Sequence, residues 1–317
     1  MKKKNNKEEM ADGSHNESSG YHVPVLLQES IEALHIRPGG IYVDCTFGGG
    51  GHSREILKHL DGSGRLVVFD QDEDAKQNVP DDDRLLFIPQ NFRHLKRFLR
   101  LHKIQQVDGI LADLGVSSHQ FDEAERGFSI RFDAALDMRM DARSDRTAAD
   151  VLNTYPEATL HKLFEQYGEV TNSKTLAKAI VAQRAITPFK TINAFKQSME
   201  GLVKGNPNKY FAQVFQALRI EVNEELKVLE EMLAQAIEVL APGGRLAVIS
   251  FHSLEDRLVK NFIKYGSAAE PEADEVFGTR PASPLKAVEK KPVTAGAEEL
   301  KMNSRSRSAK LRVAEKI

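Results

Sequence analysis

The feature that most constrains this chain is an alternation of short, β-branched apolar runs with stretches of helical spacing, which is how consecutive parallel β-α-β units read. Residues 41–44 (Ile-Tyr-Val-Asp), 65–70 (Arg-Leu-Val-Val-Phe-Asp), 85–88 and 107–113 are predicted as four strands alternating with three helices, two of them placed at 52–60 and 92–102. A fifth strand is predicted at 245–250, and 285–288 with 309–313 supply a weaker closing pair. The expected fold class is therefore α/β, with a Rossmann-like, mainly parallel sheet of seven strands.

Between residues 130 and 205 the strand pattern gives way to helix starts, so an inserted helical subdomain is expected there. It splits a Rossmann-like domain made of residues 21–129 and 206–317. Thr154-Tyr-Pro-Glu157 reads as a capping box with proline in the first turn, ahead of Leu160, Leu163 and Phe164. Ser173 starts a second helix. Apolar residues from Phe211 to Leu240 at spacings of three and four mark one long helix or two in succession, ended by Ala241-Pro-Gly-Gly244. Residues 1–20 are too polar to offset the entropy of ordering and are expected to be a mobile tail.

Composition excludes several classes. Charged residues make up 28% of the 317 and the net charge is -2, the profile of a globular protein rather than a general nucleic-acid binder. No apolar stretch reaches the roughly 18 residues of a membrane span, and the N-terminus lacks a signal-peptide core, so a cytoplasmic protein is expected. The single cysteine, Cys45, can form neither an internal disulfide nor a thiolate metal cluster, and no metal is expected. The charge is uneven, however: residues 279–317 carry ten Lys/Arg against four Glu, enough for a local contact with an anionic polymer.

In an open α/β sheet the ligand lies beyond the carboxyl ends of the strands. After the first strand comes Asp44-Cys-Thr-Phe-Gly48-Gly-Gly-Gly51-His52, where missing side chains let backbone approach a ligand. Alone, such a turn is as easily a flexible connection. Asp70, 20 positions after Gly50 at the end of the second strand, is spaced to accept both hydroxyls of an adenosine ribose. Ser53 in place of the third glycine disfavours a nicotinamide dinucleotide, and no Gly-Lys-Ser/Thr follows to make a phosphate loop. An acid at the end of strand one with glycines at 48 and 50 instead resembles the S-adenosylmethionine turn, with Thr46 standing for its first glycine. Asn91-Phe92 and Asp113 to Gln120 end the third and fourth strands; Phe92 is either an adenine neighbour or a core aromatic.

The chain resembles the bacterial family of ribosomal RNA small subunit methyltransferase H. The resemblance rests on His22-Val-Pro-Val-Leu-Leu, Thr46-Phe-Gly-Gly-Gly-Gly-His-Ser53, Asp113-Leu-Gly-Val-Ser-Ser118, Arg126-Gly-Phe-Ser129, Leu136-Asp-Met-Arg-Met-Asp141, Phe215-Gln-Ala-Leu-Arg-Ile220 with Val222-Asn223, Ser250-Phe-His-Ser-Leu-Glu-Asp-Arg257 and Ser304-Arg-Ser-Arg-Ser-Ala-Lys-Leu-Arg312. It implies a class I methyltransferase that uses S-adenosylmethionine to methylate N4 of a cytosine in the decoding region of 16S rRNA within the small ribosomal subunit. It also implies that Gly50, Gly51, His52, Asp70, Phe92, Asp113 and Gln120 contact the cofactor. Asp113 serves either the cofactor or the amino group as hydrogen-bond acceptor.

Other amino-methyltransferases carry Asp/Asn-Pro-Pro-aromatic at this point, whereas this chain has Asp113-Leu-Gly-Val116, without the stacking aromatic. Phe121, Phe128 or Phe251 is available instead, each with core packing as the plainer reading. Arg139, between Asp137 and Asp141, either meets RNA or belongs to a structural network. Ser253 and Asp256 fit a helix cap, and His252 is a weak pocket candidate. Arg305, Arg307, Lys310 and Arg312 are the best candidate phosphate contacts. Two alternatives stand beside the main reading: an amino-methyltransferase acting on another nucleic acid, and a non-catalytic RNA-binding assembly factor. The sequence does not reveal an oligomeric state.

Overall fold

The computed structural model describes residues 24–272 and 281–317; the expected mobile tail at 1–20 lies outside them. Seven strands form one sheet in the order β3-β2-β1-β4-β5-β7-β6. They are β1 Ile41–Asp44, β2 Arg65–Phe69, β3 Leu85–Ile88, β4 Val107–Asp113, β5 Leu240–Ser250, β6 Leu285–Ala287 and β7 Lys310–Lys316. β1 to β5 pair in parallel, and only β7 is antiparallel, to β5 and β6 on either side. The strand order reverses between β1 and β4, which places the sheet's crevice at their carboxyl ends.

Buried side chains alternate strictly between the two faces, as the two-residue period of a strand requires. Val43, Val67, Phe69, Ile110, Ala112, Leu246 and Val248 face one apolar cluster, and Tyr42, Leu66, Val68, Leu111, Ala247 and Ile249 face another. Helices α1 (Leu27–Leu34) and α2 (Gly51–His59) cover the second face. Helix α3 (Leu95–Leu101) lies on the first, together with residues 225–239 and 253–265 described below. The sheet is thus buried on both sides, the environment that β-branched runs anticipate.

The excursion between β4 and β5 contains helices and no named strand: α4 Ser118–Asp122, then, after an irregular stretch over 127–147, α5 Ala148–Thr154, α6 Glu157–Gln166, α7 Ser173–Arg184, α8 Ile192–Met199, α9 Pro207–Val222 and α10 Glu225–Val239. A third apolar cluster runs from Phe128 through Phe164, Phe195 and Phe215 to Val222, so α9 shares its buried side with the inserted helices. The apolar repeat of 211–240 is two helices, because Glu224 takes a left-handed φ of 50° and breaks it. After β5 come α11 (Ser253–Tyr265) and α12 (Ala297–Met302).

Several local expectations are corrected. Between β2 and β3 there is no full helix, only a 3-10 turn at Glu73–Asn78. Thr154 does not cap α6: it ends α5, where its hydroxyl donates to the Asp150 carbonyl, and Pro156 precedes α6 without a side-chain cap. The capping box in this region is Thr147 with Asp150, at the start of α5. Ala241 to Gly244 does not separate helix from strand, since Leu240 already pairs with Val107 and the register then jumps so that Gly109 faces Arg245. The four residues are a bulge, with Gly243 at φ 77°.

Phe195 is fully buried and meets Phe189 and Phe215 edge-on at centroid distances of 5.2 and 5.8 Å. Phe195→Ala should lower unfolding free energy by about 3–5 kcal/mol, read from the urea midpoint; a loss below about 1 kcal/mol would show that this cluster is not close-packed.

Candidate active site

The crevice is a cleft of about 830 Å³ lined from the carboxyl ends of β1, β2 and β4, from the turn before α4 and from the start of α10. Its floor is set by hydrogen bonds between strand ends. The Asp113 amide donates to Thr46 Oγ1 at 2.7 Å, and Asp44 accepts from the Thr46 amide at 3.0 Å and from Ser53 Oγ at 2.6 Å. Asp44 is 1% exposed, so its carboxylate braces the turn from behind instead of facing the cleft.

The glycine run then crosses left-handed backbone, with Gly48 at φ 50° and Gly50 at φ 74°, before α2 begins. A side chain on Gly50 would meet the Phe47 ring at 2.9 Å and one on Gly51 would meet Pro24 Cγ at 2.2 Å. Gly51 and His52 line the cleft; Gly50 shapes the turn without lining it. The next strand end answers this loop: Asp70 accepts from the Gly48 amide at 2.7 Å with one oxygen and from the Asp72 amide at 2.8 Å with the other. Burial pushes the Asp70 carboxyl up to about 6 against these two hydrogen bonds.

His52 is buried, with Nε2 3.1 Å from the Val25 carbonyl, and burial lowers its pKa. That contact makes Nε2 the donor and leaves Nδ1 3.8 Å from Asp113 Oδ2. Burial, with Asp44 and Glu255 nearby, raises the Asp113 carboxyl well above the usual carboxylate range. Its Oδ1 is buried and has no hydrogen-bond partner among the described residues. Phe92 lines the cleft while packing against the apolar cluster on the sheet's first face. Gln120 closes a capping box with Ser117 and donates to Asp72 at 2.7 Å.

Three acids that motif reading missed belong to the cleft. Asp72 joins Gln120 to Arg126, whose guanidinium is 3.0 Å away. Glu225 and Glu255 line the end toward the insert. Glu255 is 2% exposed; burial opposes its ionisation, but His252 and Arg219 hold its pKa below the ordinary value. Glu255 lies inside the quoted Ser250 to Arg257 motif without having been singled out, and Asp72 and Glu225 stand two residues beyond Asp70 and Asn223. Among the described residues, Glu225, His252 and Glu255 also form a group able to hold a cation, although Arg219 already grips both Glu225 oxygens at 2.8 and 2.9 Å.

The remaining candidates are dispersed. Arg139 is held by both oxygens of Asp137 and by the Ala142 and Ser144 carbonyls, away from the cleft. His252, not Ser253, caps α11, in a box with Glu255. Asp256 instead pairs with Arg312 at 2.7 Å and Lys310 at 3.5 Å. Arg305 lines the cleft, donates to Asp122 at 2.6 Å and lies over the Phe121 ring. Arg307 is exposed. Of the three aromatic candidates only Phe251 reaches the cleft; Phe128 is 8% exposed in the insert's core and Phe121 packs against that core.

The sheet order, the glycine turn and the acid after β2 define a class I methyltransferase drawing its methyl group from S-adenosylmethionine. The residues present fit that group: a backbone cradle without side chains, an acid, Asp70, at the end of β2, and a buried carboxyl oxygen, Asp113 Oδ1, without a partner among the described residues, which suits a cationic ligand. Residues 19–317 match the MraW methylase family, and the chain belongs to it. A Phocaeicola vulgatus relative named ribosomal RNA small subunit methyltransferase H is 54% identical over 297 residues, 93% of this chain and 97% of its own. A Cytophaga hutchinsonii protein of the same name is 54% identical over 299 residues, 93% and 99% of the two chains. Among solved structures, TrmN from Thermus thermophilus gives a TM-score of 0.41 at 15% identity, covering 92% of this chain and 48% of that one. SMU.1697c of Streptococcus mutans, solved in complex with SAH, gives 0.40 at 13%, covering 93% and 100%. Among the described residues no helix is long and apolar enough to cross a membrane.

Gly51→Ala places a methyl group inside the Pro24 ring's contact distance. The expected cost is about 1–3 kcal/mol in unfolding free energy with weaker S-adenosylmethionine binding by calorimetry; unchanged values for both would show that Pro24 moves aside freely.

Proposed function

We propose that this protein methylates N4 of a cytosine in the decoding region of 16S rRNA, acting on the small ribosomal subunit in the cytoplasm. The observation that carries this reading is 54% identity over nearly the full length to relatives named for that subunit's RNA.

When bound, the sulfonium supplies a methyl carbon already activated for in-line displacement, so the chain's task is mainly positioning. The turn that Gly50 shapes, lined by Gly51 and His52, would receive the methionine part, Asp70 the ribose hydroxyls, and Phe92 with Gln120 the adenine. Asp113 faces the donor's positive charge, which offsets its burial and draws it toward the carboxylate form. Methyl transfer would form the N4–C bond from the nitrogen lone pair as the C–S electron pair returns to sulfur, and the proton lost from N4 would pass to solvent water. Phe251 is the aromatic surface for the base.

A base must leave its stack to enter such a cleft, at a cost of roughly a few kcal/mol. We assign the clamp to the helical insert of residues 130–205, with Arg305 at the rim as a phosphate contact. Arg307 and Lys310 extend that contact outside the cleft, and Arg139 acts through the turn it organises.

Mass spectrometry of decoding-region fragments, from subunits of a deletion strain incubated with the purified protein and S-adenosylmethionine, should find one cytosine gaining an N4 methyl group. No methyl group, or one on another atom, would overturn the proposal.

Donor binding needs Asp70 ionised to accept hydroxyls. With its carboxyl near 6 in the free protein, affinity should fall about tenfold from pH 7 to pH 5. Asp70→Ala should weaken binding at pH 7 and flatten the profile; a wild-type profile already flat would remove Asp70 from the donor contacts.

A further inference from the structure

Arg219 and Glu225 take no part in holding the donor as described above, yet they form a bidentate ion pair that is largely buried. Arg219 lies on α9, in the Phe215 to Ile220 motif, and its side chain donates to Glu225 through Nε at 2.8 Å and through a terminal nitrogen at 2.9 Å. The Glu225 side chain is 9% exposed, and that opening is onto the cleft, which Glu225 lines. A bidentate grip leaves each carboxylate oxygen a lone pair while denying the group rotation. Buried ion pairs contribute little net stability, so this one is better explained by what it presents than by what it holds together.

Its neighbour is presented in the same way. Glu255 accepts from the amides of Phe251 at 2.8 Å and His252 at 3.3 Å, and it too lines the cleft. Oxygens of Glu225 and Glu255 approach within 4.8 Å. A planar amino group donating to two acceptors at ~2.9 Å spans about 5 Å between them, so the spacing suits one –NH2 with both protons engaged. A further buried acceptor on the cleft, Oδ1 of Asp113, lacks a hydrogen-bond partner among the described residues, while Nε2 of His252 lies 3.2 Å from the other Glu255 oxygen and holds that carboxylate in place. The wall is built for a polar donor that the chain does not itself provide.

We propose that Glu225, oriented by Arg219 and paired with Glu255, accepts the hydrogen bonds of the exocyclic amino group that is to be methylated, and so selects an amino-bearing base over a carbonyl-bearing one. This rests on the reading of a cytosine amine as acceptor of the methyl group. A carbonyl oxygen at the same place would face two carboxylates with no proton to offer. Arg219 is a positioning residue, and Glu225 touches the substrate. The rival occupant is a divalent cation held by Glu225, His252 and Glu255.

The test is steady-state methylation of small subunits by wild type, Glu225→Gln and Glu225→Asp, with calorimetry of S-adenosylmethionine on each protein as the check on folding. Glu225→Asp keeps the charge that Arg219 requires but withdraws the carboxylate by one methylene. Glu225→Gln should lower kcat about 100-fold, with KM for subunits and Kd for the donor within about threefold of wild type. Glu225→Asp should show the same pattern at about tenfold or more. Either variant at wild-type kcat with donor binding intact overturns the proposal. So does a stoichiometric Mn2+ site on the wild-type protein, titrated with the metal alone, that disappears in Glu225→Gln. A wild-type protein that methylates no cytosine would instead defeat the underlying reading, whatever the variants do.

Discussion

Two parallel strands that end side by side, β1 and β4, have to be joined across a gap where the sheet's connections diverge, and the joint is polar. Thr46 does the joining: its hydroxyl accepts from Asp113 on one strand while its amide donates to Asp44 on the other. Ser53, in the first turn of α2, fastens the helix to the same Asp44. These few contacts aim the glycine turn, and Asp70 is fixed by the turn in return, through the Gly48 amide. A glycine at position 46, as the more usual turn would have, lacks the hydroxyl that binds Asp113.

The cleft's acids differ in how far their surroundings favour the carboxylate form, which is how one pocket can serve two ligands of different character. Burial pushes Asp70 and Asp113 up, toward protonation, where no cation of the chain compensates them. Glu255 is as deeply buried, but His252 and Arg219 keep it ionised. A cationic donor therefore gains most beside Asp113, whose burial it relieves. A neutral hydrogen-bond donor gains most beside Glu255, which is held ionised, and beside Glu225, which Arg219 already orients.

The sheet was legible because a strand buried on both faces needs consecutive β-branched and aliphatic residues, a local signal that Ile41–Asp44 and Val107–Asp113 both carry. The glycine turn and Asp70 were legible through spacing, which the β-α-β unit makes nearly constant. Charge was the least legible property. The basic C-terminal segment reads as a row of open cations, yet Arg305 meets Asp122 across 183 residues and Arg312 meets Asp256 across 56. For the same reason Asp72, Glu225 and Glu255 are indistinguishable in sequence from the other acids among 46, since only the fold decides which are buried and paired. The false cap at Thr154 has a related origin: Thr147 with Asp150 satisfies a capping box one helix earlier, leaving Thr154 to close that helix.

The insert is not simply appended to this machinery. Asn223, at the end of α9, accepts from the Met140 amide and donates to the Met138 carbonyl, so the entrance to the insert is stitched to the helix that carries Arg219. Arg126 donates to the Arg139 and Met140 carbonyls of that entrance and pairs with Asp72, two residues from Asp70. The entrance of the insert is thereby tied to both ends of the cleft, to Asp72 through Arg126 and to the helix of Arg219 through Asn223. Because the two runs of hydrogen bonds meet at the Met140 backbone, the binding of donor and of RNA proposed above is expected to be coupled reciprocally through it.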